Sequence, residues 1–514
     1  MGAMLRPQKS GHTMQNGTLL AALDLGSNSF RLEIGRLDHG QIHRTEYLKE
    51  TVRQGNGLDE NRNLSQEAMQ RGWDCLARFG ERLAGFERHQ VRAVATQTLR
   101  EARNRDEFLT KAHAILGFPI DVIPGREEAR LIYQGVARLL PQSSERRLVV
   151  DIGGRSTEMI LGQAYEATVM ESFRVGSVAW SIKYFPNGQF TRDAFRIAEI
   201  AAKAVLDEAL NAYRRDTWDV AYGSSGTVGA VADILHAAGW PQNLITREGL
   251  DWISDRLLKA QNVEKLRIDG MKDDRKLVIG GGISVLRALF DLLGIDEMHA
   301  ADGALRHGVL YDLVARGQED TDLRAVSVQR MASRFGVDTQ QAHRIAKLAC
   351  MLFSQLQTGS GAAATETTRQ QRKLNWAGQL HEIGCQISHQ DHHKHGSYIL
   401  EHADVPGFAL IELHRLSQLV LGHRGKLRKL ELDFADATFM QQLLALRLAT
   451  LLCHARRDPD TAGLELRMDP MLASQFVVST RRGWAQVFPQ SAHLLREEAQ
   501  AWQKTPWSLQ LSEA

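Results

Sequence analysis

The segment that most restricts what this chain can become runs from Leu19 to Leu37, LLAALDLGSNSFRLEIGRL. An apolar run ends on a single acid, Asp24, passes through a small polar turn (Gly26, Ser27, Asn28, Ser29) and returns as the alternating Phe30, Leu32, Ile34. Two apolar runs joined by Gly, Ser and Asn predict a β-hairpin. Gly26 tolerates positive φ, and the polar residues offer hydroxyls, an amide and exposed backbone N–H groups. Such a tip can wrap a phosphate, and the carboxylate beside it can hold a hydrated Mg²⁺. One turn of this composition is ordinarily only a turn. The pattern recurs, however, at Leu148–Gly162, LVVDIGGRSTEMILG: an apolar strand, Asp151, a Gly/Ser/Thr turn and a second apolar strand. The repetition predicts a duplicated α/β unit with phosphate held between its halves.

These segments resemble the actin/hexokinase/Hsp70 ATPase-type (ASKHA) fold. More narrowly they resemble the exopolyphosphatase/guanosine pentaphosphate phosphohydrolase (Ppx/GppA) family in its long form, and within it exopolyphosphatase. Further motifs follow in the family's order: TQTLREARN (Thr96–Asn104), GREEARL (Gly125–Leu131), GSSGT (Gly223–Thr227) and DGALRHGVL (Asp302–Leu310). The resemblance implies two ribonuclease H-like domains with a cleft between them, then an all-α HD-like domain and a small C-terminal α/β domain. The boundaries expected are a leader over 1–16, domain I over 17–132, domain II over 133–316, the helical domain over 317–460 and the appendage over 461–514. The leader is expected to be disordered.

The texture of the chain agrees with that division. Ser65 reads as an N-cap before an amphipathic helix, and Gly125 opens another. IGGGIS (Ile279–Ser284) reads as a loop. Strand patterns vanish after Asp320 and helix-period segments take over, with TGSGAAATETT (Thr358–Thr368) expected as a mobile inter-helix loop. At 514 residues the chain has room for three or four domains. Net charge is only +2, so affinity for a polyanion has to come from a local field, and nucleic acid is not an expected partner. Cys75, Cys350, Cys385 and Cys453 are scattered, which fits a reducing compartment and excludes a zinc ribbon. The N-terminus has no apolar signal core and no run is long enough to span a bilayer. The expected location is cytoplasmic, with peripheral attachment to the inner membrane as a variant.

By resemblance, Glu128 is the general base that orients and deprotonates the attacking water, and its place in the first turn of a helix suits a carboxylate. Asp151 and Glu158 are the candidate Mg²⁺ ligands, with Asp24 facing them; K⁺ is an expected activator. Gly153, Gly154, Ser156 and Thr157, with Ser225, Gly226 and Thr227, are expected to contact phosphate. Arg100 is the expected guanidinium partner of a non-bridging oxygen. Arg155 replaces the third glycine of the usual D-I-G-G-G-S-T-E. If that site needs positive φ the arginine is strained; otherwise it occupies phosphate space or adds a phosphate ligand.

The helical region contains HEIG (His381–Gly384) followed by His389, His392, His393 and His395, with Glu382 where metal-active HD domains carry Asp and His343 a candidate upstream ligand. Together with the basic run Arg424, Lys426, Arg428 and Lys429, His381, His393 and His395 are candidates to line a polyphosphate channel. The expected activity is therefore Mg²⁺-dependent exopolyphosphatase on inorganic polyphosphate. The alternatives are removal of the 5′ γ-phosphate of pppGpp and a catalytically weak sensor of alarmones such as ppGpp or of polyphosphate. No G-x-x-x-x-G-K-[ST] occurs, so a P-loop is excluded. A homodimer is implied by the resemblance alone.

Overall fold

The structure is a computed structural model and describes residues 14–316, 322–357, 364–427, 430 and 433–513. The first hairpin forms β1 (Leu19–Leu25) and β2 (Phe30–Asp38), paired antiparallel, and β3 (Gln41–Glu50) continues the meander. β4 (Val91–Ala95) and β5 (Ile120–Val122) then add in parallel on the other side of β1, giving the order β3-β2-β1-β4-β5. β1 is central, which is why it is apolar apart from Asp24. The outer strand β3 is polar and half exposed.

The second sheet repeats the plan. β6 (Arg146–Ile152), β7 (Thr157–Gln163) and β8 (Glu166–Phe173) form an antiparallel meander, and β9 (Val220–Ser224) pairs in parallel with β6. β10 (Leu244–Thr246) and β11 (Glu297–Ala300) complete the order β10-β11-β9-β6-β7-β8. The architecture is thus α/β with two ribonuclease H-like halves, followed by a helical region and a small sheet.

The expected boundary at 132/133 falls inside one helix, Gly125–Leu139. That helix packs on Leu305–Arg316, and the pair shares a single core with both sheets: Leu20 and Val94 from one, Val149 and Ile160 from the other, Leu131 and Val309 between them. The backbones touch at two glycines. A Cβ on Gly308 would collide with the Leu131 carbonyl, and one on Gly135 with the Ala304 carbonyl. Gly308→Ala is therefore expected to cost about 1–3 kcal/mol by overpacking, measured as a lower urea midpoint with unchanged m-value.

IGGGIS is not a loop. It is the first two turns of the helix Ile279–Leu293, because a Cβ on Gly281 would meet the Ser177 carbonyl and the Ser181 N–H. Close packing, not turn formation, selects glycine there. The TGSGAAATETT expectation is partly overturned as well. A helix runs Ala364–Leu380, so Ala364–Thr368 is helical, and 358–363 lie outside the described residues, as do 1–13 of the expected leader.

By contact density the chain forms two units, Met1–Leu323 with Asp404–Ala409, and Arg324–Ala403 with Leu410–Ala514. The second contains helices Thr339–Gln357, Ala364–Leu380, His392–His402, Leu410–Gly422 and Ala437–Leu452, and a sheet of β12 (Glu465–Met468), β13 (Gln475–Thr480) and β14 (Ser508–Glu513). The short segment Asp404–Ala409 belongs to the first unit, where the Gly407 N–H donates to Glu127 at 2.7 Å. Among the described residues no helix is long and apolar enough to cross a membrane.

Candidate active site

The same local chemistry builds both walls of a cleft of about 430 Å³ in the first unit. β1 and β6 are buried central strands that end on acids, Asp24 and Asp151, and each then turns through small residues that leave backbone exposed. Gly26 to Ser29 line one wall; Gly153, Gly154 and Ser156 line the other. Ser27 is held by a hydrogen bond from the Thr98 hydroxyl at 2.8 Å. β9 runs straight into the helix Ser225–Ala237, so Ser225, Gly226 and Thr227 reach the cleft from a helix N-terminus. Ser225 has φ 88°, a conformation a non-glycine residue adopts only under constraint. Its hydroxyl and that of Thr227 both donate to the Ile152 carbonyl, at 2.9 and 3.0 Å.

Glu128 joins Asp24 and Asp151 on this cleft. Burial pushes its carboxyl up to about 7; Arg100 pulls down, while Asp24 and Asp151 add like-charge repulsion. Asp151 is likewise pushed up to about 6 by burial, against the Ser224 hydrogen bond and the Arg31 charge. Asp24 and Asp151 are hard oxygen donors on facing turns and leave room for water and phosphate oxygens, which is the donor set Mg²⁺ takes. Among the described residues no three His, Cys, Asp or Glu side chains already form a cage, and Mg²⁺ at a phosphate site does not need one.

Four of the expected side chains do not line the cleft. Glu158 does not line the cleft. The hairpin register sets it opposite Asp151, where it is 1% exposed, accepts from the Ser172 hydroxyl at 2.8 Å and is held well above the usual carboxylate range by burial and by Glu128. Thr157 turns away and donates to the Val175 carbonyl at 2.6 Å. Arg100 does not reach the phosphate space: it donates to the Ile123 carbonyl at 2.6 Å and to Glu128 at 3.1 Å. Arg155 is absent from the cleft wall and from the positive-φ residues. Its backbone is therefore unstrained, and its guanidinium pairs with Glu101 at 2.9 Å.

The sequence reading missed the cations of the cleft. Arg31 faces Asp24 at 2.8 Å, and Arg306, Lys49, Lys272 and Arg275 also line the cleft, the first three paired with Glu33, Asp274 and Asp233. Arg275 packs its guanidinium on Gly226, where any Cβ would displace it. Register counting could have found Arg31. Asp24↔Arg31 and Asp151↔Glu158 are the same cross-strand position in the two hairpins, seven residues apart in each.

In the second unit, His381, His392 and His423 are buried together. His381 and His423 are held below the ordinary imidazole value by burial, and His393 is pushed down to about 4. His395 is half-buried, Arg424 and Lys426 are exposed, His343 is exposed on its helix, and Arg428 and Lys429 lie outside the described residues.

Comparison with known proteins identifies the family. The profile of the Ppx/GppA phosphatase family matches residues 34–317, and that of Ppx/GppA phosphatase domain III matches 323–499. The chain belongs to the Ppx/GppA phosphatase family. Its relatives include the guanosine-5′-triphosphate,3′-diphosphate pyrophosphatase of Vibrio cholerae, 40% identical over 86% of this chain and 88% of that protein. The protein of the same name from Vibrio parahaemolyticus is 37% identical over 96% of this chain and 98% of its own. Among solved structures, an exopolyphosphatase from Cytophaga hutchinsonii matches with TM-score 0.52 at 25% identity, over 58% of this chain and 98% of that one. An exopolyphosphatase-like protein matches with TM-score 0.53 at 26% identity, over 57% and 97%. As a Ppx/GppA protein the chain is a phosphoanhydride hydrolase.

Proposed function

We propose that this Ppx/GppA protein removes the terminal 5′ phosphate of guanosine pentaphosphate, yielding guanosine tetraphosphate and orthophosphate. The observation that carries the hydrolytic reading is the convergence of Glu128, Asp24 and Asp151 on one cleft that Arg31, Arg275 and Arg306 also line. The choice of pppGpp over long polyphosphate, the reverse of the expectation from sequence, rests on the relatives that match nearly end to end and bear the pentaphosphate name. A cleft of this volume suits a compact polyanion.

In this reading the backbone N–H groups of the two turns and of the Ser225–Thr227 helix start hold the terminal phosphoryl group. Asp24 and Asp151 are the residues that would hold Mg²⁺, which when bound neutralises phosphate charge. Glu128 orients the water and takes its proton as oxygen bonds to phosphorus and the bridging oxygen departs. Arg31 and Arg306 balance charge on the leaving diphosphate side. The sensor alternative loses its motive, since Arg155 leaves the phosphate space open.

The test is orthophosphate release from pppGpp and from polyphosphate, each with and without Mg²⁺. The expected result is Mg²⁺-dependent release with the higher kcat/KM on pppGpp. A higher kcat/KM on polyphosphate would return the chain to the exopolyphosphatase reading, and release from neither would end both.

A further inference from the structure

Arg155 is the residue at which this chain leaves the glycine pattern of its second hairpin, and its side chain starts a continuous hydrogen-bond path. Its Nε donates to Glu101 Oε2 at 3.0 Å, with one terminal nitrogen in ion-pair contact with the same oxygen at 2.9 Å, and its other terminal nitrogen donates to the Gly55 carbonyl at 3.3 Å. The other Glu101 oxygen, Oε1, accepts from the Gln97 amide at 2.6 Å. The Gln97 carbonyl oxygen accepts from Arg100 through Nε at 3.0 Å and through a second guanidinium nitrogen. Arg100 in turn donates to Glu128 at 3.1 Å.

Every link in this path has a fixed direction. A guanidinium only donates and a carboxylate only accepts, so Glu101 must draw the NH₂ end of Gln97. That leaves the oxygen end of Gln97 for Arg100. If Glu101 were free to swing, the Gln97 amide could turn over, and its NH₂ would then face the guanidinium. Gln97 and Glu101 lie on one short helix, Gln97–Glu101, four residues apart and therefore on the same face. Arg155 comes from the opposite hairpin and holds that face from outside the cleft.

We infer that Arg155 is a positioning residue for Glu128, acting through Glu101, Gln97 and Arg100. The turn that binds phosphate and the carboxylate that addresses water are thereby set by one side-chain chain, which reaches from the second hairpin into the first half. This rests on the hydrolytic reading above for its kinetic consequence, though not for its geometry. Arg155 is a positioning residue and not a catalytic one, because it touches neither cleft nor substrate.

The test uses the full chain as parent, Arg155→Gly, Arg155→Lys, Glu101→Gln and the double variant Arg155→Gly/Glu101→Gln. Phosphate release from pppGpp with Mg²⁺ is expected to show kcat down about tenfold in Arg155→Gly with KM nearly unchanged, as misaligned groups slow chemistry more than binding. Arg155→Lys, which can still pair with Glu101, is expected to regain most of the loss. The double variant is expected to be no slower than the worse single one, since both cut the same path. A raised KM with intact kcat would make Arg155 a phosphate ligand, and faster turnover in Arg155→Gly or additive losses would also overturn the inference. A second readout needs no turnover. The Arg100 Nε–H, sheltered by Gln97 in the parent, is expected to exchange faster with water in Arg155→Gly by NMR; unchanged protection would refute the path even in a chain that hydrolyses nothing.

Discussion

Glu128→Gln is expected to fold, bind substrate and lose about 10²–10⁴ in kcat, read as orthophosphate release at saturating pppGpp. Gln keeps the shape of the carboxylate and its place beside Arg100 while removing its basicity. The pH profile of the parent has a definite sign. A base must be ionised to act, and burial pushes Glu128 up to about 7. Activity is therefore expected to be low at pH 5, rise through about pH 7 and level off above it, with Glu128→Gln flat over the same range. The same shift bears on stability. A carboxyl raised in the folded state favours folding less as pH rises from the ordinary glutamate value toward 7, so at pH 8 Glu128→Gln is expected to melt no lower than the parent. A flat profile in the parent, or full turnover in Glu128→Gln, would remove Glu128 from the chemistry.

The largest structural effect is expected at Asp312, on the helix Leu305–Arg316. Its carboxylate is 4% exposed and accepts from three arginines: Arg130 at 2.5 Å, Arg316 at 2.6 Å, and Arg92. Burial alone would raise it, and the three cations overcome that and hold it well below the usual carboxylate range. Arg130 also pairs with Glu127 at 2.8 Å, so the cluster sits one residue from the proposed base. Asp312→Ala leaves the guanidinium groups of Arg92 and Arg130 sharing Glu127, at an expected cost of about 3–5 kcal/mol, measured by chemical denaturation at pH 7.5. Because the folded value is depressed, the Asp312 contribution is complete above the unfolded aspartate pKa and fades as pH falls below about 4. The gap between parent and variant should narrow over that range.

What the sequence made legible was local. An acid at the end of an apolar run followed by Gly/Ser is a self-contained statement about a strand and its turn, so Asp24, Asp151 and both hairpins could be read without knowing the rest. Glu128 could be placed because a helix start is also local. The remaining parts depended on distant packing. IGGGIS has loop composition, yet the backbone of Ser177–Ser181 needs the space its side chains would fill. Arg100 and Arg155 have the chemistry of phosphate ligands, and only the positions of Glu101, Gln97 and Glu128 reveal that each has a protein partner instead. Arg275 and Lys272 lie far from any motif, and nothing nearby in sequence marks them. Arg31 is intermediate, invisible as a motif but recoverable by counting the register of the hairpin.

The six residues Asp404–Ala409 carry a practical consequence. They supply the Gly407 N–H that Glu127 accepts, beside the arginines that hold Asp312. A fragment stopped at residue 323 would omit them and leave buried Glu127, still paired with Arg130, one donor short. Order along the gene is thus a poor guide to where this molecule can be cut. An isolated hydrolase half is expected to need either that short piece grafted back or a substitute at Glu127, and its melting temperature against the full-length protein would show how much the excision removes.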